Sequence, residues 1–277
     1  MRRPVMRYHG GKFRLAPWII QHFPAHRVYV EPFGGAASVL MQKPRSYAEV
    51  YNDMSAEIVN VFRVLRDPDA GQALRRLIYF TPFARDEFAL TYEPSSDPVE
   101  QARRTIARTF MGFGSAAFNS DHATGFRCNS NRSGTTPAHD WINYPDVIPA
   151  FIARLRGVVI ENRPATEVIR QHGGPRTLVY CDPPYPIEAR KPGQDGNYGE
   201  YELSDDEHRE LAAVLHDCEG MALVSGYPCP LYDELYDDWQ MVTRTAYADG
   251  AQKRTEALWL SPRCAERIGR TLWEAAL

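Results

Sequence analysis

Six short apolar runs, each followed by polar or turn-forming residues, constrain the fold of this chain most. They lie at 27–30, 47–51, 157–160, 177–181, 221–225 and 257–260. Between them are segments with apolar residues at helical spacing, such as 55–65, and a capping box at 204–207 that opens another helix. Strands that alternate with helices predict a mostly parallel, doubly wound α/β sheet. Ligands of such sheets bind at the carboxyl ends of the strands.

The stretch 67–149 interrupts this alternation. It carries arginine-bearing helical patterns at 73–80 and 98–111, followed by a Gly-, Ser- and Asn-rich run at 112–136. We therefore expect a larger domain built from residues 1–66 and 150–277. Residues 67–149 are predicted to form a smaller, mainly helical domain inserted into it.

Composition excludes several classes of protein. Of the 277 residues, 44% are hydrophobic, which is enough for a sizeable core. No apolar run approaches the roughly 18–20 residues of a transmembrane helix, and no apolar signal core follows the basic N-terminus. The five cysteines form no CxxC pair, a pattern typical of reduced thiols in a cytoplasmic protein.

The charge is distributed unevenly. The net charge of −3 argues weakly against a nucleic-acid partner. Between Arg103 and Arg132, however, there are five arginines and one acidic residue, whereas thirteen acidic residues and one arginine lie between Asp195 and Trp239. This distribution predicts one basic and one acidic face, although the acidic stretch also fits an ordinary solvated helix.

The tetrapeptide Asp182-Pro183-Pro184-Tyr185 directly follows the run at 177–181. A carboxylate and the Pro183 carbonyl, which no sheet ladder occupies, can accept hydrogen bonds from an exocyclic amine. Tyr185 offers a face on which a flat ring can stack. The pattern favours a site for an amino-bearing ring.

Two further motifs follow the first two strands. The segment from Phe33 to Ser38 contains Gly34 and Gly35 and is expected to turn tightly, to let a ligand approach the backbone, and to open a short helix. Plain turn chemistry explains it about equally well. Asp53 ends the next strand, where an acid can hold ribose hydroxyls, or it can cap the helix at 55–65.

A Gly-Gly turn followed by lysine stands near the N-terminus, in the motif Tyr8-His9-Gly10-Gly11-Lys12. It can fold over a carboxylate or phosphate, or it can serve as a capping turn for a helix around Trp18. The GxxxxGK[ST] spacing of a P-loop is absent. No partner at ligand spacing supports a metal site at His9, so we predict none.

In their order along the chain, these segments resemble the Dam-type (D12 class, α-group) DNA adenine-N6 methyltransferases. The segments 7–12, 30–38, 51–53 and 182–185 carry the resemblance, and 225–232 and 254–259 extend it over nearly the whole chain. The order is that of the α group: cofactor motif, target-recognition insert, then the DPPY tetrapeptide.

The resemblance implies a Rossmann-like class I fold that uses S-adenosyl-L-methionine, with residues 67–149 as an inserted target-recognition domain. The implied catalytic residues are Asp182, Pro183, Pro184 and Tyr185. The implied cofactor-binding residues are Tyr8, Gly11, Lys12, Glu31, Phe33, Gly35, Ser38, Asp53 and Asp182. Direct in-line transfer to a flipped-out adenine would follow from hydrogen bonds of its N6 amine to Asp182 and Pro183.

Three positions depart from the family pattern. Ala37 stands where a second glycine is common, and its methyl group leads us to expect a negative φ there. The family often has an acid near the cofactor adenine after the fourth strand; residues 161–165 offer only Glu161, Asn162 or the backbone for that task. Tyr8 replaces the usual tryptophan.

The insert is expected to bind double-stranded DNA. The candidate contacts are Arg103, Arg104, Arg108, Arg127, Asn129, Asn131 and Arg132, for each of which a plain surface arginine or polar residue is an equal alternative. We expect no membrane partner and a monomer or weak dimer; a partner restriction endonuclease would not be visible in the sequence. Alternative functions are N4-cytosine or RNA methylation on the same fold, or an inactive DNA-binding relative.

Overall fold

The structure is a computed structural model that describes residues 1, 3–114, 124–129, 134–190, 198–247 and 253–274. Its strands are β1 (Val28–Glu31), β2 (Ala48–Asn52), β3 (Val158–Glu161), β4 (Thr177–Cys181), β5 (Met221–Gly226), β6 (Gln240–Tyr247) and β7 (Lys253–Leu260). Its helices are α1 (Ala16–Ile20), α2 (Ala56–Arg66), α3 (Pro68–Phe80), α4 (Arg85–Leu90), α5 (Pro98–Met111), α6 (Pro137–Ile142), α7 (Ile148–Leu155), α8 (Ala165–His172), α9 (Asp205–Asp217), α10 (Pro230–Leu235) and α11 (Pro262–Glu274).

The fold is mixed α/β with a seven-stranded sheet in the order β3-β2-β1-β4-β5-β7-β6. Strand β1 pairs in parallel with β2 and β4, and β4 pairs in parallel with β5. Strand β7 is antiparallel to both β5 and β6. The strand order reverses direction between β1 and β4, so this is the switch point at which open α/β sheets bind ligands.

All six predicted strands are confirmed, whereas β6 was not anticipated. Its sequence mixes polar and apolar residues, and its central residues Met241, Thr243, Arg244 and Thr245 are exposed. An exposed edge strand carries no buried apolar run, and its strand character comes from its antiparallel pairing with β7.

Contacts divide the chain into two compact units. The first comprises Met1–Ala16, Gly35–Gln42 and Ser55–Asn162, and the second comprises Pro17–Gly34, Lys43–Met54 and Arg163–Leu277. The predicted division, into 1–66 with 150–277 and an insert at 67–149, separates a catalytic domain from a DNA-recognition domain by function. A division by internal contacts does not test this separation, which remains a prediction.

In the first unit, helices α2, α3, α5 and α7 pack on one another. Ser55 caps α2 by accepting a hydrogen bond from the Ile58 N–H at 3.4 Å. The N-terminal segment is tied to the same unit, because the Tyr144 hydroxyl donates to the Val5 carbonyl. Arg7 also forms an ion pair with Asp140 at 2.7 Å.

The core of the second unit lies on and around β4, whose five residues are all buried. Side chains from β1, β2, β5, α8, α9 and α10 pack with it in one cluster. The predicted capping box at Ser204 and Glu207 is confirmed at the start of α9. Among the described residues, no helix combines the length and hydrophobicity needed to cross a membrane.

Candidate active site

Three carboxylates stand at the carboxyl ends of three adjacent strands. Glu31 is the last residue of β1, Asp53 comes directly after β2, and Asp182 comes directly after β4. Neighbouring strands lie about 4.8 Å apart, so these acids share one edge of the sheet, at the switch point. Glu31 is buried and accepts a hydrogen bond from the Tyr29 hydroxyl at 2.7 Å, whereas Asp53 and Asp182 are half-buried.

The loops at this edge are held by one buried side chain, Asn52. Its amide nitrogen donates to the carbonyls of Pro32 and Arg163 at 2.8 and 3.0 Å, and its amide oxygen accepts from the Arg163 N–H at 3.0 Å. Its own carbonyl accepts from the Gly34 N–H at 2.7 Å. Asn52 therefore joins the turn after β1 to the segment that precedes α8.

Gly34 has no room for a side chain. A Cβ atom placed on it would lie 2.1 Å from Cε2 of Tyr51, whose ring is fully buried. Gly35, in the first unit, has a φ of +46°, and a Cβ there would lie 2.8 Å from the ring of Tyr8. The Gly-Gly pair is thus required by tight packing of backbone against two tyrosine rings. Phe33 packs against the core of the second unit.

The expectations for the residues after this turn were wrong in two respects. Ala37 has a φ of +52°, not the negative value expected, and it is fully buried. A left-handed alanine costs roughly 1–2 kcal/mol relative to the right-handed conformation, so the packing around it holds a strained residue where glycine is unstrained. The run 35–42 also forms turns and no regular helix. Ser38 is buried, and its carbonyl accepts a hydrogen bond from Gln42 at 3.0 Å.

The Tyr8-to-Lys12 motif forms a turn in the first unit. The Gly11 N–H donates to the Tyr8 carbonyl at 3.2 Å, and the buried Lys12 ammonium donates to the Gly10 carbonyl at 2.7 Å. The Lys12 carbonyl accepts from the Ala16 N–H at 2.7 Å, where α1 begins. The turn therefore leads into α1. This agrees with the alternative in which the motif is a capping turn for the helix around Trp18.

Asp53 does not cap α2, because Ser55 is the N-cap residue of that helix. The capping alternative for Asp53 was therefore wrong. The Arg163 side chain extends along α8 and contacts Glu167 at 3.0 Å and Gln171 at 2.6 Å. At 161–165, only the Arg163 backbone is engaged by Asn52, while Glu161 and Asn162 are half-buried.

The DPPY tetrapeptide forms a closely packed corner in the second unit. Pro183, Pro184 and Tyr185 are buried. The Tyr185 hydroxyl donates to the carboxylate of Glu256 in β7 at 3.2 Å, and its ring meets that of Tyr227 at 78° with centroids 4.8 Å apart. Burial, followed by the charges of Glu256 and Asp182, raises the pKa of Tyr185 well above its usual value. The hydroxyl therefore stays protonated and remains a donor.

Arg190 fixes the chain that leaves this corner. Its Nε donates to the Tyr185 carbonyl at 2.7 Å, and its two terminal nitrogens bind the two carboxylate oxygens of Glu202 at 2.9 and 2.7 Å. Only 4% of the Arg190 side chain is exposed, and its guanidinium lies 5.3 Å from the centre of the Tyr198 ring. The ion pair is bidentate and largely buried, the geometry that gives arginine–carboxylate pairs their directionality.

Sequence reasoning missed Glu256, Arg190 and Asn52 as parts of the site. Asn52 and Glu256 stood in segments that carried the family resemblance, but nothing in their spacing indicated a partner. Glu256 lies 71 residues from Tyr185 along the chain. Arg190 lies five residues beyond Tyr185, and no sequence signal paired it with Glu202.

The three arginines of helix α5 bind acidic side chains and other polar groups of the first unit. Arg103 is 5% exposed and binds Glu100, Glu87 and Thr81. Arg108 is 1% exposed; it binds the Thr91 carbonyl at 2.8 Å and forms an ion pair with Glu57. Arg104 binds Glu100 at 2.8 Å and the Glu93 carbonyl at 2.9 Å. The guanidiniums of Arg103 and Arg108 join helices, so the interpretation as phosphate contacts is not retained for these two. The partners of Arg104 lie in α5 itself and in the segment after α4, and its DNA contact remains a prediction.

The other predicted DNA contacts lie beyond α5. Arg127 is half-buried, Asn129 is exposed, and the Arg127 N–H donates to the Met111 carbonyl at 2.7 Å. Asn131 and Arg132 lie outside the described residues. Within the described part of the chain, no group of three or more His, Cys, Asp or Glu side chains could hold a metal ion, and the five cysteines are free thiols.

Comparison of the sequence with known protein families shows to which family this chain belongs. The sequence model of the D12 class N6 adenine-specific DNA methyltransferases matches residues 8–249, which is most of the chain. The chain belongs to this family. The DPPY corner, the Gly-Gly turn and Asp53 all lie inside the matched range.

Two curated proteins show the same relationship. A DNA adenine methylase of Serratia marcescens is 24% identical over 249 residues, which cover 86% of each chain. A DNA N-6-adenine-methyltransferase of Escherichia phage P1 is 22% identical over 85% of this chain, and the match spans 31% of that longer protein. The solved structure of a precorrin 8W decarboxylase from Methanobacterium thermoautotrophicum covers 89% of this chain and 88% of that chain at 10% identity, with a TM-score of 0.34. A similarity this low carries no argument.

Proposed function

We propose that this D12-class protein transfers a methyl group from S-adenosyl-L-methionine to the N6 amine of an adenine flipped out of double-stranded DNA. The observation that carries the proposal is the DPPY corner at the sheet's switch point, where Glu256 and Arg190 hold Tyr185 from both its hydroxyl and its carbonyl. A site that must align a weakly nucleophilic amine requires side chains whose positions are fixed in this way.

The chemistry of the switch-point edge fits the cofactor. S-adenosyl-L-methionine carries a positive sulfonium, a positive ammonium and two ribose hydroxyls. Glu31, Asp53 and Asp182 present three carboxylates at adjacent strand ends, which attract cations and accept hydrogen bonds from hydroxyls. The same carboxylates would repel a phosphate. The acidic edge therefore suits the methyl donor and not the DNA backbone.

Each unit carries part of the predicted set of cofactor-binding residues. In the second unit, Asp53 would bind the ribose hydroxyls, and Glu31 and Phe33 would contact the methionine part. In the first unit, Tyr8, Gly11, Lys12, Gly35 and Ser38 remain predicted cofactor-binding residues. The class I, Rossmann-like fold with an inserted recognition domain at 67–149 belongs to the same proposal, and the parallel order β2-β1-β4-β5 supports it.

When bound, the cofactor supplies an electrophilic methyl group on sulfur. The Asp182 carboxylate and the Pro183 carbonyl accept hydrogen bonds from the two N6–H groups of adenine, which draws the amine away from conjugation with the ring and frees its lone pair. Asp182 acts by orientation and charge, since the proton can leave after transfer. Nothing in this scheme requires a covalent intermediate with the protein.

Tyr185 offers the base a ring whose orientation is fixed. Its protonated hydroxyl and its ring orientation are fixed by Glu256 and Tyr227, and 9% of the residue remains exposed. A flipped adenine would meet this exposed part, which offsets some of the free energy of unstacking the base. In the recognition region, Arg127 and Asn129, with Asn131 and Arg132, would contact phosphates or base edges.

The decisive test is methyl transfer by an Asp182→Ala variant. Tritium from labelled S-adenosyl-L-methionine should enter DNA with the unchanged protein, and nucleoside analysis should recover it as N6-methyladenine. Asp182→Ala should lose transfer by at least about a thousandfold while it still binds the cofactor measurably in calorimetry. Asp237→Ala, which removes an exposed acid of the same unit, is the matched control and should transfer normally. Full activity of Asp182→Ala, or label recovered as N4-methylcytosine, would refute the proposal.

A further inference from the structure

A concave site lies at the end of these strands that is opposite to the DPPY corner. It has a volume of about 620 Å³ and is formed in the second unit by the segments that precede β1, β2, β4 and β5, together with α11. Strand β4 begins beside this pocket and ends at the DPPY corner. Five residues at a rise of about 3.3 Å each separate the two sites by roughly 16 Å. The pocket is therefore distinct from the methyl-transfer site.

The pocket is strongly basic. Five arginines line it: Arg27, Arg45, Arg176, Arg263 and Arg267. The lining acids are Glu219 and Glu266, which leaves an excess of three positive charges in a chain whose net charge is −3. All seven of these side chains belong to exposed residues. Burial lowers the pKa of His26, which also lines the pocket, so this imidazole adds no charge at neutral pH.

Structural roles account for part of this cluster. Arg263 donates to the Cys218 carbonyl at 2.9 Å, at the carboxyl end of α9, where a cation complements the helix dipole. The Arg27 guanidinium lies 3.4 Å from the centre of the Tyr47 ring. Stacking uses the face of a guanidinium and leaves its N–H edge available to an anion. The two glutamates offset only part of the charge of the five arginines, and the remaining excess of three positive charges around one open space attracts anions.

We propose that this pocket binds phosphate groups. Arginine presents several N–H donors in a planar fork that matches phosphate oxygens, and the volume lies within the range of sites for nucleotide-sized ligands. Two sources share this chemistry: a nucleotide or other small polyphosphate, and the backbone of a DNA segment remote from the methylated base. The proposal does not depend on the methyl-transfer reaction.

The test uses the full chain and an Arg27→Ala/Arg176→Ala variant. The Arg27 N–H donates to the Arg176 carbonyl at 2.9 Å, so both substitutions leave that backbone bond in place. The matched control is Arg170→Ala/Arg209→Ala, which removes two charges from exposed ion pairs elsewhere in the same unit. Thermal unfolding checks that both variants fold. If the alanine variant does not fold, the Arg27→Lys/Arg176→Lys variant, which retains the charge, takes its place.

Calorimetric titration with inorganic pyrophosphate tests whether the pocket binds a small polyphosphate. Binding to the unchanged protein should weaken by about tenfold or more in the pocket variant and remain unchanged in the control. A short and a long duplex probe the DNA source. If DNA occupies the pocket, the long duplex should bind more tightly than the short one, and the slope of log affinity against log salt should become shallower by about 1.8 in the pocket variant.

Each result decides for or against the pocket. A loss of pyrophosphate affinity alone assigns it to small polyphosphates, and a loss of the long-duplex advantage assigns it to DNA. Equal behaviour of the pocket variant and the control in both arms, or no pyrophosphate binding together with no duplex-length effect, would overturn the proposal. Methylation of the short duplex should be the same in all variants.

Discussion

The turn after β1 offers the sharpest prediction, a Gly34→Ala substitution. The added Cβ would lie 2.1, 2.5 and 2.8 Å from Cε2, Cδ2 and Cζ of Tyr51. Carbon atoms in contact prefer about 3.5–4.0 Å, so the closest pair would be about 1.4 Å too close. The Tyr51 ring is fully buried and cannot swing into solvent. The backbone must move instead, against the 2.7 Å hydrogen bond from the Gly34 N–H to Asn52.

We therefore expect Gly34→Ala to lower the free energy of unfolding by about 3 kcal/mol, at the upper end of overpacked core substitutions. Urea unfolding measures this change. Because the displaced turn also carries Phe33, the affinity for S-adenosyl-L-methionine should fall in calorimetry by about tenfold or more. A second substitution, Tyr51→Leu, removes the ring and should recover about 1–2 kcal/mol of coupling energy in the double variant.

Gly174→Ala is the matched control. A Cβ on Gly174 meets no atom within 4 Å, so this change should be neutral or stabilising by up to about 1 kcal/mol. If Gly34→Ala unfolds within about 0.5 kcal/mol of the Gly174→Ala variant, the packing argument for the Gly-Gly turn is refuted. If it unfolds early but Tyr51→Leu restores nothing, the clash lies elsewhere.

Two further predictions concern Tyr185 and His208. Glu256→Gln weakens the hydrogen bond from the Tyr185 hydroxyl, so kcat should fall about tenfold with little change in KM for the cofactor; Tyr185→Phe should match it, and an additive double variant would contradict a shared role. Burial lowers the pKa of His208 to about 4 from its usual 6.5. The unfolded state therefore binds more protons between these values, and stability should fall by up to about 3 kcal/mol as pH drops from 6.5 to 4. Urea unfolding of His208→Phe should show a flatter pH dependence, and an unchanged slope would rule out His208 as the cause.

The fold was largely predictable because its strands carry their own signals. Buried strands such as β4 need continuous apolar runs, and the switch-point motifs follow them directly in sequence. The edge strand β6 lacks such a run and was missed. The φ of Ala37 was also mispredicted, because a local preference for negative φ was overridden by the packing of a fully buried residue.

The charged residues were the least predictable part. A basic stretch of sequence suggested that Arg103 and Arg108 bind DNA, yet both are buried against acids of neighbouring helices. Sequence spacing within one helix reports which residues share a face, not which distant carboxylate that face meets. The same limit concealed the basic pocket, whose arginines come from segments that precede three separate strands or lie on α11.

The sequence by itself determined the alternating α/β plan, the order of the family motifs and the position of acids after β1, β2 and β4, because each depends on neighbours along the chain. Only the tertiary structure decided how Tyr185 is held, since Glu256 and Arg190 reach it from other segments. Only the tertiary structure likewise showed Asn52 as the side chain that joins two loops. Directional hydrogen bonds between residues distant in sequence leave no periodic signal, so they become visible only when the chain is folded.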